Sequence, residues 1–371
     1  MKVLIVLDHP TQFDVPVFRL GKNFIDVIYT STNNLQNVYD PELQRKVSWI
    51  GNSLEGYTYA VLPKRNKIRW LLGKIKNTKY DLIITNGYFN IYLATVIVLG
   101  RIYCRRNSLR LDSVPFNNQS KLKKVTKFLT YSMLKLFVEY YFVVGKLSKD
   151  FVIKQGVDER KISLYGYVSN DRFFKDQIFS NKNNLTQLKK KYCVPSDKLI
   201  ILCVSKHNLR EAPVDTILAF SKIERKDLHL LIVGDGPMHS QLIELAKKNN
   251  ISEITFAGYV EYNLLSEVYF ISNLFIHDSH NEPWGVSVQE ALSCGIPVIA
   301  SDKVGSSYDL VKNGVNGYVF MAGDQVTLQR LIEQAAELDR SLAIAETDKI
   351  LLDWTYEGII YNIKKVATSS V

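Results

Sequence analysis

The chain has 371 residues, 46% of them hydrophobic and 23% charged, and a formal net charge of +10. This length allows two domains of ordinary size, and the composition excludes an intrinsically disordered protein. The charge is uneven, since residues 1–167 hold 26 Lys and Arg against 12 Asp and Glu, whereas the remainder holds 21 against 25. One basic half and one mildly acidic half indicate two domains with different partners.

The four cysteines, at positions 104, 193, 203 and 294, lie far apart and form no Cys-x-x-Cys pair. They are predicted to be reduced thiols in the core of a cytosolic protein, not a disulfide framework or a zinc site. The apolar run at the N-terminus is short and ends in charge, which predicts a first strand and not a signal peptide. The longest apolar run, 91–100, is too short to cross a bilayer.

Apolar segments of the first half predict strands of a buried parallel sheet, near 2–7, 26–29, 81–85, 109–113 and 140–144. Sites of such sheets lie at the carboxyl ends of the strands. His9, Thr11 and Gln12 follow the first strand, and Asn86 and Tyr88 follow the third. These five residues are therefore candidates for a ligand site, the alternative being ordinary polar groups of loops. No Gly-x-Gly-x-x-Gly is present here, which argues against a dinucleotide in this half.

Two basic amphipathic helices are predicted in this half, at 63–76 and 121–137, and an apolar, buried helix is predicted at 91–99. The second basic helix has apolar residues at positions 122, 125, 128, 129, 133, 136 and 137. Such faces suit contact with an anionic membrane leaflet, although helices packed on a core with solvated lysines produce the same pattern. Residues 31–62 form a long polar excursion with little periodicity, of the kind that often carries function.

The second half alternates apolar strands with helices, and the hinge before it is placed near 167–172. Strands are predicted near 199–204, 229–233, 254–257, 274–276 and 298–300. The polar turn 205–211 follows the first of them. Gly234 opens a tight Gly-Asp-Gly-Pro turn before a helix, which by itself is weak support for a site. The pattern is that of a doubly wound α/β domain.

The most informative stretch is 276–301, which reads as a strand end, a polar loop, a helix over 286–293 and the next strand. Glu282 and Glu290 bracket the helix start. Pro283 and Gly285 shape the turn, so that the N–H groups of Trp284, Gly285 and Val286 are expected to point outward as an anion site. Carboxylates on both sides of such a cradle are suited to a ligand that also carries hydroxyl groups. A solvated loop glutamate and a helix N-terminal glutamate are the alternative interpretation.

The segment from Glu282 to Val298, Glu-Pro-Trp-Gly-Val-Ser-Val-Gln-Glu-Ala-Leu-Ser-Cys-Gly-Ile-Pro-Val, resembles the signature of retaining glycosyltransferases of the GT-B fold, family four. The resemblance implies two Rossmann-like α/β domains that face each other across a cleft. It assigns 1–168 to acceptor binding, 169–350 to the nucleotide sugar and 351–371 to a helix that returns to the first domain. His9, Thr11, Gln12, Asn86 and Tyr88 then become acceptor-binding candidates.

The same resemblance assigns roles in the second half. Glu282 would contact hydroxyls of the donor sugar and Glu290 the ribose. In the family the turn after the first strand supplies two cations to the diphosphate. Here Lys206 matches the first, Ser205 replaces a glycine, and Glu211 stands where the second Lys is usual, so Arg210 is expected to take over that charge. The remaining donor-binding candidates are Gly234, Gly258, Tyr259, Val260, Trp284, Gly285 and Val286.

Asp112 is a candidate catalytic residue near the transferred sugar, although the family often has histidine in this neighbourhood. The implied reaction is transfer from a nucleoside-diphosphate sugar to a glycan or lipid-linked glycan with retention of configuration, in bacterial surface polysaccharide assembly, including lipopolysaccharide. No cofactor or obligatory metal is expected, because the chain has no Asp-x-Asp and no ligand cluster. The protein is expected in the cytoplasm or at the inner face of the membrane, and no nucleic acid is expected as partner. The alternatives are a sugar-nucleotide 2-epimerase and a non-catalytic protein that binds nucleotide sugars or nucleic acid.

Overall fold

The computed structural model describes residues 1–31, 38–40, 42–43, 45–47, 54–115, 121–181, 184–211, 213–335 and 337–369. Its strands are β1 (Val3–Leu7), β2 (Ile25–Tyr29), β3 (Val38–Asp40), β4 (Arg45–Val47), β5 (Thr58–Val61), β6 (Leu82–Asn86), β7 (Asn107–Leu111), β8 (Tyr140–Val143), β9 (Ile162–Leu164), β10 (Leu199–Val204), β11 (Leu228–Val233), β12 (Ile254–Gly258), β13 (Leu274–His277), β14 (Val298–Ser301) and β15 (Gly317–Phe320).

The helices connect these strands and cover the sheets. They are α1 (Val15–Leu20), α2 (Lys67–Asn77), α3 (Ile91–Tyr103), α4 (Lys121–Phe137), α5 (Lys146–Lys154), α6 (Asp171–Ser180), α7 (Leu185–Lys191), α8 (Val214–Phe220), α9 (His239–Lys248), α10 (Leu265–Phe270), α11 (Val286–Ser293), α12 (Ser307–Leu310), α13 (Gln325–Ala335), α14 (Arg340–Leu351) and α15 (Tyr356–Thr368).

The chain forms two compact units. Unit 1 comprises Met1–Val38, Ser48–Tyr167 and Trp354–Val371, and unit 2 comprises Tyr39–Val47 and Val168–Asp353. The sheet of unit 1 has the order β5-β2-β1-β6-β7-β8-β9, and that of unit 2 has the order β12-β11-β10-β13-β14-β15. The strand pairs in both sheets are parallel. The prediction of two α/β domains with parallel sheets is confirmed.

Unit 1 is built on strands with side chains buried on both faces, as β1 illustrates with its run Val-Leu-Ile-Val-Leu. Helices on the two faces exclude water from this sheet, which explains why the strand shows no alternation of polar and apolar residues. The segment after unit 2 completes the same unit. Within it the Arg106 Nη1 donates to the carbonyl oxygen of Ala367 at 3.0 Å, and the Trp354 ring packs against Gly166.

Two expectations about burial are wrong. α3 was expected to be buried, but Ile91, Val98 and Ile102 are 63%, 40% and 62% exposed, because only one face of the helix packs on the sheet. All four cysteines are free, as predicted, and Cys203 and Cys294 are buried. Cys193 is exposed, since it lies in the left-handed turn that follows α7 and is not part of the core.

Candidate active site

In the sheet of unit 2 the strands that follow β10 in the chain, β11 and β12, lie on one side of it, and β13 to β15 lie on the other side. β10 pairs with β11 on one side and with β13 on the other, so the loops after β10 and β13 diverge at a topological switch point. Ligands of open α/β sheets bind in the crevice outside the carboxyl ends of strands at such a point. Lys206 and Arg210 follow β10, and Glu282 follows β13. The fold thus brings together three of the predicted catalytic residues.

Hydrogen bonds between the two loops fix Arg210. Its carbonyl oxygen accepts from the His280 N–H at 3.0 Å and from the Ser279 hydroxyl at 2.9 Å. Its Nη1 donates to the carbonyl oxygen of Asn281 at 3.2 Å and lies 3.3 Å from the Glu282 Oε2. Arg210 therefore has a defined position next to Glu282, although the residue is displaced by one position from the family pattern.

Carboxylates crowd the two cations. Glu211 is buried and pairs with the Arg210 Nη2, and burial together with the charge of Glu282 raises the pKa of Glu211 to about 7. Burial also raises the pKa of Glu282, against the opposing effect of the Arg210 charge. Both carboxyls therefore hold a proton more readily than a solvated glutamate does.

Lys206 has two partners that the sequence analysis missed. Its Nζ lies 3.0 Å from the Asp40 Oδ2 and 2.6 Å from the Glu42 Oε2. Burial disfavours the charged form of Lys206, but the hydrogen bonds and charges of Glu42 and Asp40 outweigh this effect and raise its pKa. The two acids lie in the polar excursion between β2 and β5, and no periodic pattern there indicates which residues turn inward.

The turn before α11 has the expected shape but a different hydrogen-bond pattern. Gly285 has a φ of +85°, and a Cβ at this position would stand 2.7 Å from the Val304 side chain, so glycine is required. The Trp284 N–H was expected to point outward at the ligand. It donates instead to the Glu282 Oε1 at 3.3 Å, because the side chain of Glu282 folds back over the turn. The Trp284 side chain is 2% exposed, and Val286 begins α11.

Glu290 lies apart from the cation cluster. It is 4% exposed, and its Oε2 accepts from the Tyr269 hydroxyl at 2.9 Å. Burial raises the pKa of Glu290 to about 7, with a further contribution from the charge of Asp171. Among the described residues no hydrogen bond or ion pair joins Glu290 to Lys206, Arg210 or Glu282. Gln289 and Ser293 of α11 donate to Asp171 of α6, whereas Glu290 accepts from Tyr269 of α10, an orientation that the spacing of the two glutamates did not reveal.

The other predicted donor residues lie at the carboxyl ends of β10, β11 and β12. The Gly234 N–H donates to the Gly258 carbonyl oxygen at 2.8 Å, and a Cβ on Gly234 would stand 1.9 Å from the Ser205 carbonyl oxygen. These three turns therefore pack backbone against backbone. Tyr259 and Val260 line a cavity of about 410 Å³ beside the edge strand β12.

The predicted acceptor residues of unit 1 lie on neighbouring strands. His9, Thr11 and Gln12 follow β1, and Asn86 ends the adjacent strand β6, with Tyr88 two residues further on. Because β1 and β6 are parallel, these residues share one edge of the sheet. The structure thus brings this group together in unit 1, in agreement with the position expected from the strand ends.

Partners differ within this group. The His9 Nδ1 is 3.6 Å from the Asp8 Oδ2, and the Thr11 hydroxyl donates to the Asp14 Oδ2 at 2.8 Å. Tyr88 packs edge-to-face on Tyr131 with ring centroids 6.5 Å apart. Burial raises the pKa of Tyr88, so its hydroxyl stays protonated at neutral pH.

A buried ion pair underlies this edge and was missed in the sequence. The Arg110 Nη1 lies 2.5 Å from the Asp14 Oδ1, and its guanidinium carbon is 3.9 Å from the centroid of the Tyr165 ring. An arginine inside the apolar strand Leu-Arg-Leu was the signal that could have found it. The next polar residue, Asp112, accepts from the Tyr167 hydroxyl at 3.2 Å.

In the part of the chain that the structure describes, no cluster of three or more His, Cys, Asp or Glu side chains is arranged to hold a metal ion. None of its helices there has both the length and the hydropathy that a membrane span requires.

Comparison with known proteins agrees with this architecture. UDP-bound HepE of Anabaena superposes with a TM-score of 0.78 at 14% identity, and each chain is covered over 100% of its length. The lipopolysaccharide outer core galactosyltransferase WaaB gives a TM-score of 0.70 at 14% identity, with 98% of each chain covered. The chain therefore has the GT-B glycosyltransferase fold.

The second half of the sequence matches a family model. Residues 185–348 match the model of the glycosyl transferases group 1. The N-acetyl-alpha-D-glucosaminyl L-malate synthase of Bacillus anthracis is 31% identical over 164 residues, which cover 44% of this chain and 40% of that protein. The matched region spans about four tenths of the length of the first curated relatives.

Proposed function

We propose that this protein is a retaining glycosyltransferase that moves a sugar from a nucleoside-diphosphate donor to a glycan or lipid-linked glycan. The observation that carries the proposal is the meeting of Lys206, Arg210 and Glu282 at the switch point of the unit 2 sheet. Two cations beside a carboxylate suit a ligand with both a diphosphate and hydroxyl groups. The match of residues 185–348 to the model of the glycosyl transferases group 1 supports the same class of reaction.

In the proposed reaction the C1–O bond of the donor breaks, and the diphosphate leaves with the electron pair. The acceptor hydroxyl oxygen bonds to C1 on the same face, and its proton passes to a phosphate oxygen. Lys206 and Arg210 would stabilise the negative charge that grows on the leaving group, which is the largest electrostatic demand of this step. Glu282 would accept a hydrogen bond from a sugar hydroxyl. No metal is required, because the two cations supply the compensating charge.

Donor binding is proposed to extend from this cluster along the carboxyl ends of β11 and β12. The packed turns of Ser205, Gly234 and Gly258 leave backbone groups close to the diphosphate position. The cavity of about 410 Å³ lined by Tyr259 and Val260 is large enough for a nucleobase. UDP is the donor nucleotide to test first, because the similar HepE structure contains it.

The test is transfer from UDP-sugars, with the products identified by mass spectrometry. A glycoside supports the proposal, whereas an isomer of the donor would identify a sugar-nucleotide 2-epimerase. NMR of the product then reports whether the anomeric configuration is retained, and EDTA is expected to leave the rate unchanged. Glu282→Gln should abolish transfer with folding intact, and Glu224→Gln, which changes an exposed carboxylate of the same unit, is the control.

Contact with an anionic membrane is the second part of the proposal. α4 exposes a stripe of apolar side chains, with Val125, Phe128, Leu129, Met133 and Leu136 between 53% and 71% exposed. Positions 125, 129, 133 and 136 recur at helical spacing and therefore share one face. The helix has five lysines and no acidic residue. Apolar residues on the outer face of a basic helix are suited to the surface of an anionic bilayer.

Sedimentation with lipid vesicles tests this part. Wild-type protein is expected to bind vesicles that contain phosphatidylglycerol and to bind phosphatidylcholine vesicles weakly. Phe128→Ser with Leu136→Ser should release the protein, whereas Leu342→Ser with Leu352→Ser, at exposed apolar positions of unit 2, should not. Equal loss in both double variants would refute a specific role of α4. A lipid-linked acceptor in the cytoplasm, at the inner face of the membrane, fits this surface. Such lipid-linked acceptors include those of surface polysaccharide and lipopolysaccharide assembly.

Salt-dependent binding to a random oligonucleotide addresses the nucleic-acid alternative. Unit 2 contains the proposed site, and the half of the chain from residue 168 holds more acids than bases. We therefore expect UDP-sugars to bind and the oligonucleotide to bind weakly. A protein that binds UDP-sugars without any transfer to a panel of glycan and lipid acceptors would instead be the non-catalytic alternative.

A further inference from the structure

The cations Lys206 and Arg210 already have anionic partners in this structure. The segment Tyr39–Val47 belongs to unit 2 and carries the strand β4 and the last two residues of β3. The Lys206 Nζ lies between the Asp40 Oδ2 at 3.0 Å and the Glu42 Oε2 at 2.6 Å. The same Glu42 oxygen is 3.5 Å from the Arg210 Nη2. A single acidic turn therefore neutralises both cations that the proposed function assigns to the donor diphosphate.

The turn is held by contacts of its own. The Asp40 Oδ1 accepts from the N–H groups of Glu42 and Leu43 at 2.8 and 3.2 Å, which leaves its other oxygen for Lys206. Leu43 is 7% exposed and anchors the turn. The backbone also lies close to the turn after β11, because a Cβ on Gly236 would stand 3.0 Å from the Glu42 carbonyl oxygen.

The negative charge of the carboxylates around Lys206 and Arg210 is incompatible with a diphosphate bound to the same two cations. Glu211 and Glu282 already lie beside Arg210, so four carboxyls surround two cations. A diphosphate brings at least two more negative charges. Its oxygens would accept from the same lysine and arginine N–H groups as the carboxylates do. The carboxylates of Asp40 and Glu42 and the diphosphate therefore compete for the same hydrogen-bond donors.

We propose that Asp40 and Glu42 form an internal competitor of the donor, which occupies Lys206 and Arg210 until the diphosphate displaces it. The proposal rests on the proposed function of these two cations. The donor then binds only those molecules in which the acidic turn is displaced. Its apparent affinity is the affinity of the open site multiplied by the fraction of such molecules. The device keeps the half-buried cations paired in the absence of donor and discriminates against ligands that lack a diphosphate.

The first test is calorimetric binding of UDP to Asp40→Asn with Glu42→Gln. Both amides keep the shape of the side chains, and the Asn Oδ1 still accepts within the turn. Because partly exposed ion pairs stabilise modestly, the Kd for UDP should fall by about threefold to tenfold. The gain should shrink at high salt. Glu224→Gln with Glu244→Gln, which removes two exposed charges elsewhere in unit 2, is the matched control and should leave the Kd unchanged.

Two further measurements do not depend on removing charge. Leu43→Ala removes the anchor of the turn and should also tighten UDP binding while Asp40 and Glu42 remain. Hydrogen exchange of the wild-type protein should show faster exchange of the Glu42 and Leu43 amides when UDP is added. These readouts stand even if the double variant folds poorly, which circular dichroism would reveal.

The outcomes separate this inference from the proposed function. If the wild-type protein binds no UDP and no other nucleoside diphosphate, the proposed function of the cations fails. If UDP binds and the double variant and Leu43→Ala leave the Kd within about 1.5-fold or weaken it, the proposed function stands and the internal competitor is refuted. Slower exchange of the two amides with UDP would likewise refute displacement, because the turn would then stay in place.

Discussion

Replacing Glu290 by Gln tests how far burial sets the protonation of this carboxyl. Glu290 is 4% exposed, and its hydrogen bond from Tyr269 only partly offsets the loss of water, so its pKa is raised to about 7. An unfolded glutamate titrates near 4.3. Between these values the folded state binds more protons than the unfolded state, and the free energy of unfolding therefore falls as pH rises.

The magnitude follows from the difference between the two pKa values. Each pKa unit corresponds to about 1.4 kcal/mol, so ionisable Glu290 costs about 4 kcal/mol of stability well above pH 7 and almost nothing below pH 4. The Gln variant lacks this titration. Its stability relative to the wild type should therefore rise by about 3 kcal/mol between pH 4.5 and pH 7.5. Other raised carboxyls, such as Asp278, titrate in both proteins and cancel in the difference.

Urea unfolding followed by circular dichroism measures this difference at four pH values across the range. Any constant cost of burying the amide shifts all four values equally and leaves the slope intact. Glu224→Gln serves as the exposed control and should show no slope. A difference between the Glu290 variant and the wild type that stays constant to within about 0.5 kcal/mol would refute the burial reasoning.

Three further predictions concern a buried ion pair, the space around a glycine and the binding of UDP. Asp14→Asn leaves the Arg110 guanidinium buried without its carboxylate. The free energy of unfolding, measured by urea titration, should therefore fall by about 3–5 kcal/mol. A loss below about 1 kcal/mol would contradict the importance of this ion pair. Gly234→Ala places a Cβ 1.9 Å from a carbonyl oxygen and should cost at least about 2 kcal/mol by the same measurement, an unchanged midpoint being the contrary result. Lys206→Gln should weaken UDP binding by about tenfold or more at low salt, and Lys226→Gln, an exposed lysine of the same unit, is its control.

Strong local patterns made much of the fold predictable. The helix predicted at 121–137 is α4 (Lys121–Phe137), and the helix predicted at 286–293 is α11 (Val286–Ser293). Continuous apolar runs located the strands, because buried parallel strands have apolar side chains on both faces. The family resemblance implied that Lys206, Arg210 and Glu282 act together, whereas the strand order that forms the switch point is visible only in the structure.

What the sequence could not provide depends on contacts between distant segments. The position of Asp40 and Glu42 beside Lys206 arises from a polar excursion without periodicity, so nothing local indicated it. The burial of Glu290 depends on how α11 packs, since the hydroxyl of Tyr269 in α10 donates to its carboxyl. The exposed apolar side of α4 follows from the packing of Tyr131, 0% exposed, on the opposite side of the helix. For the helices α4 and α11 the pattern specified the element, and tertiary packing decided its orientation.

The position of α15 has a consequence for the order in which the protein matures on the ribosome. Unit 1 requires segments from both sides of residues 168–353. Until α15 has been synthesised, the Arg106 guanidinium lacks the Ala367 carbonyl group, and Gly166 lacks the Trp354 ring that covers it. Unit 2, although most of it lies later in the sequence, therefore has all its residues synthesised before those of unit 1 are complete.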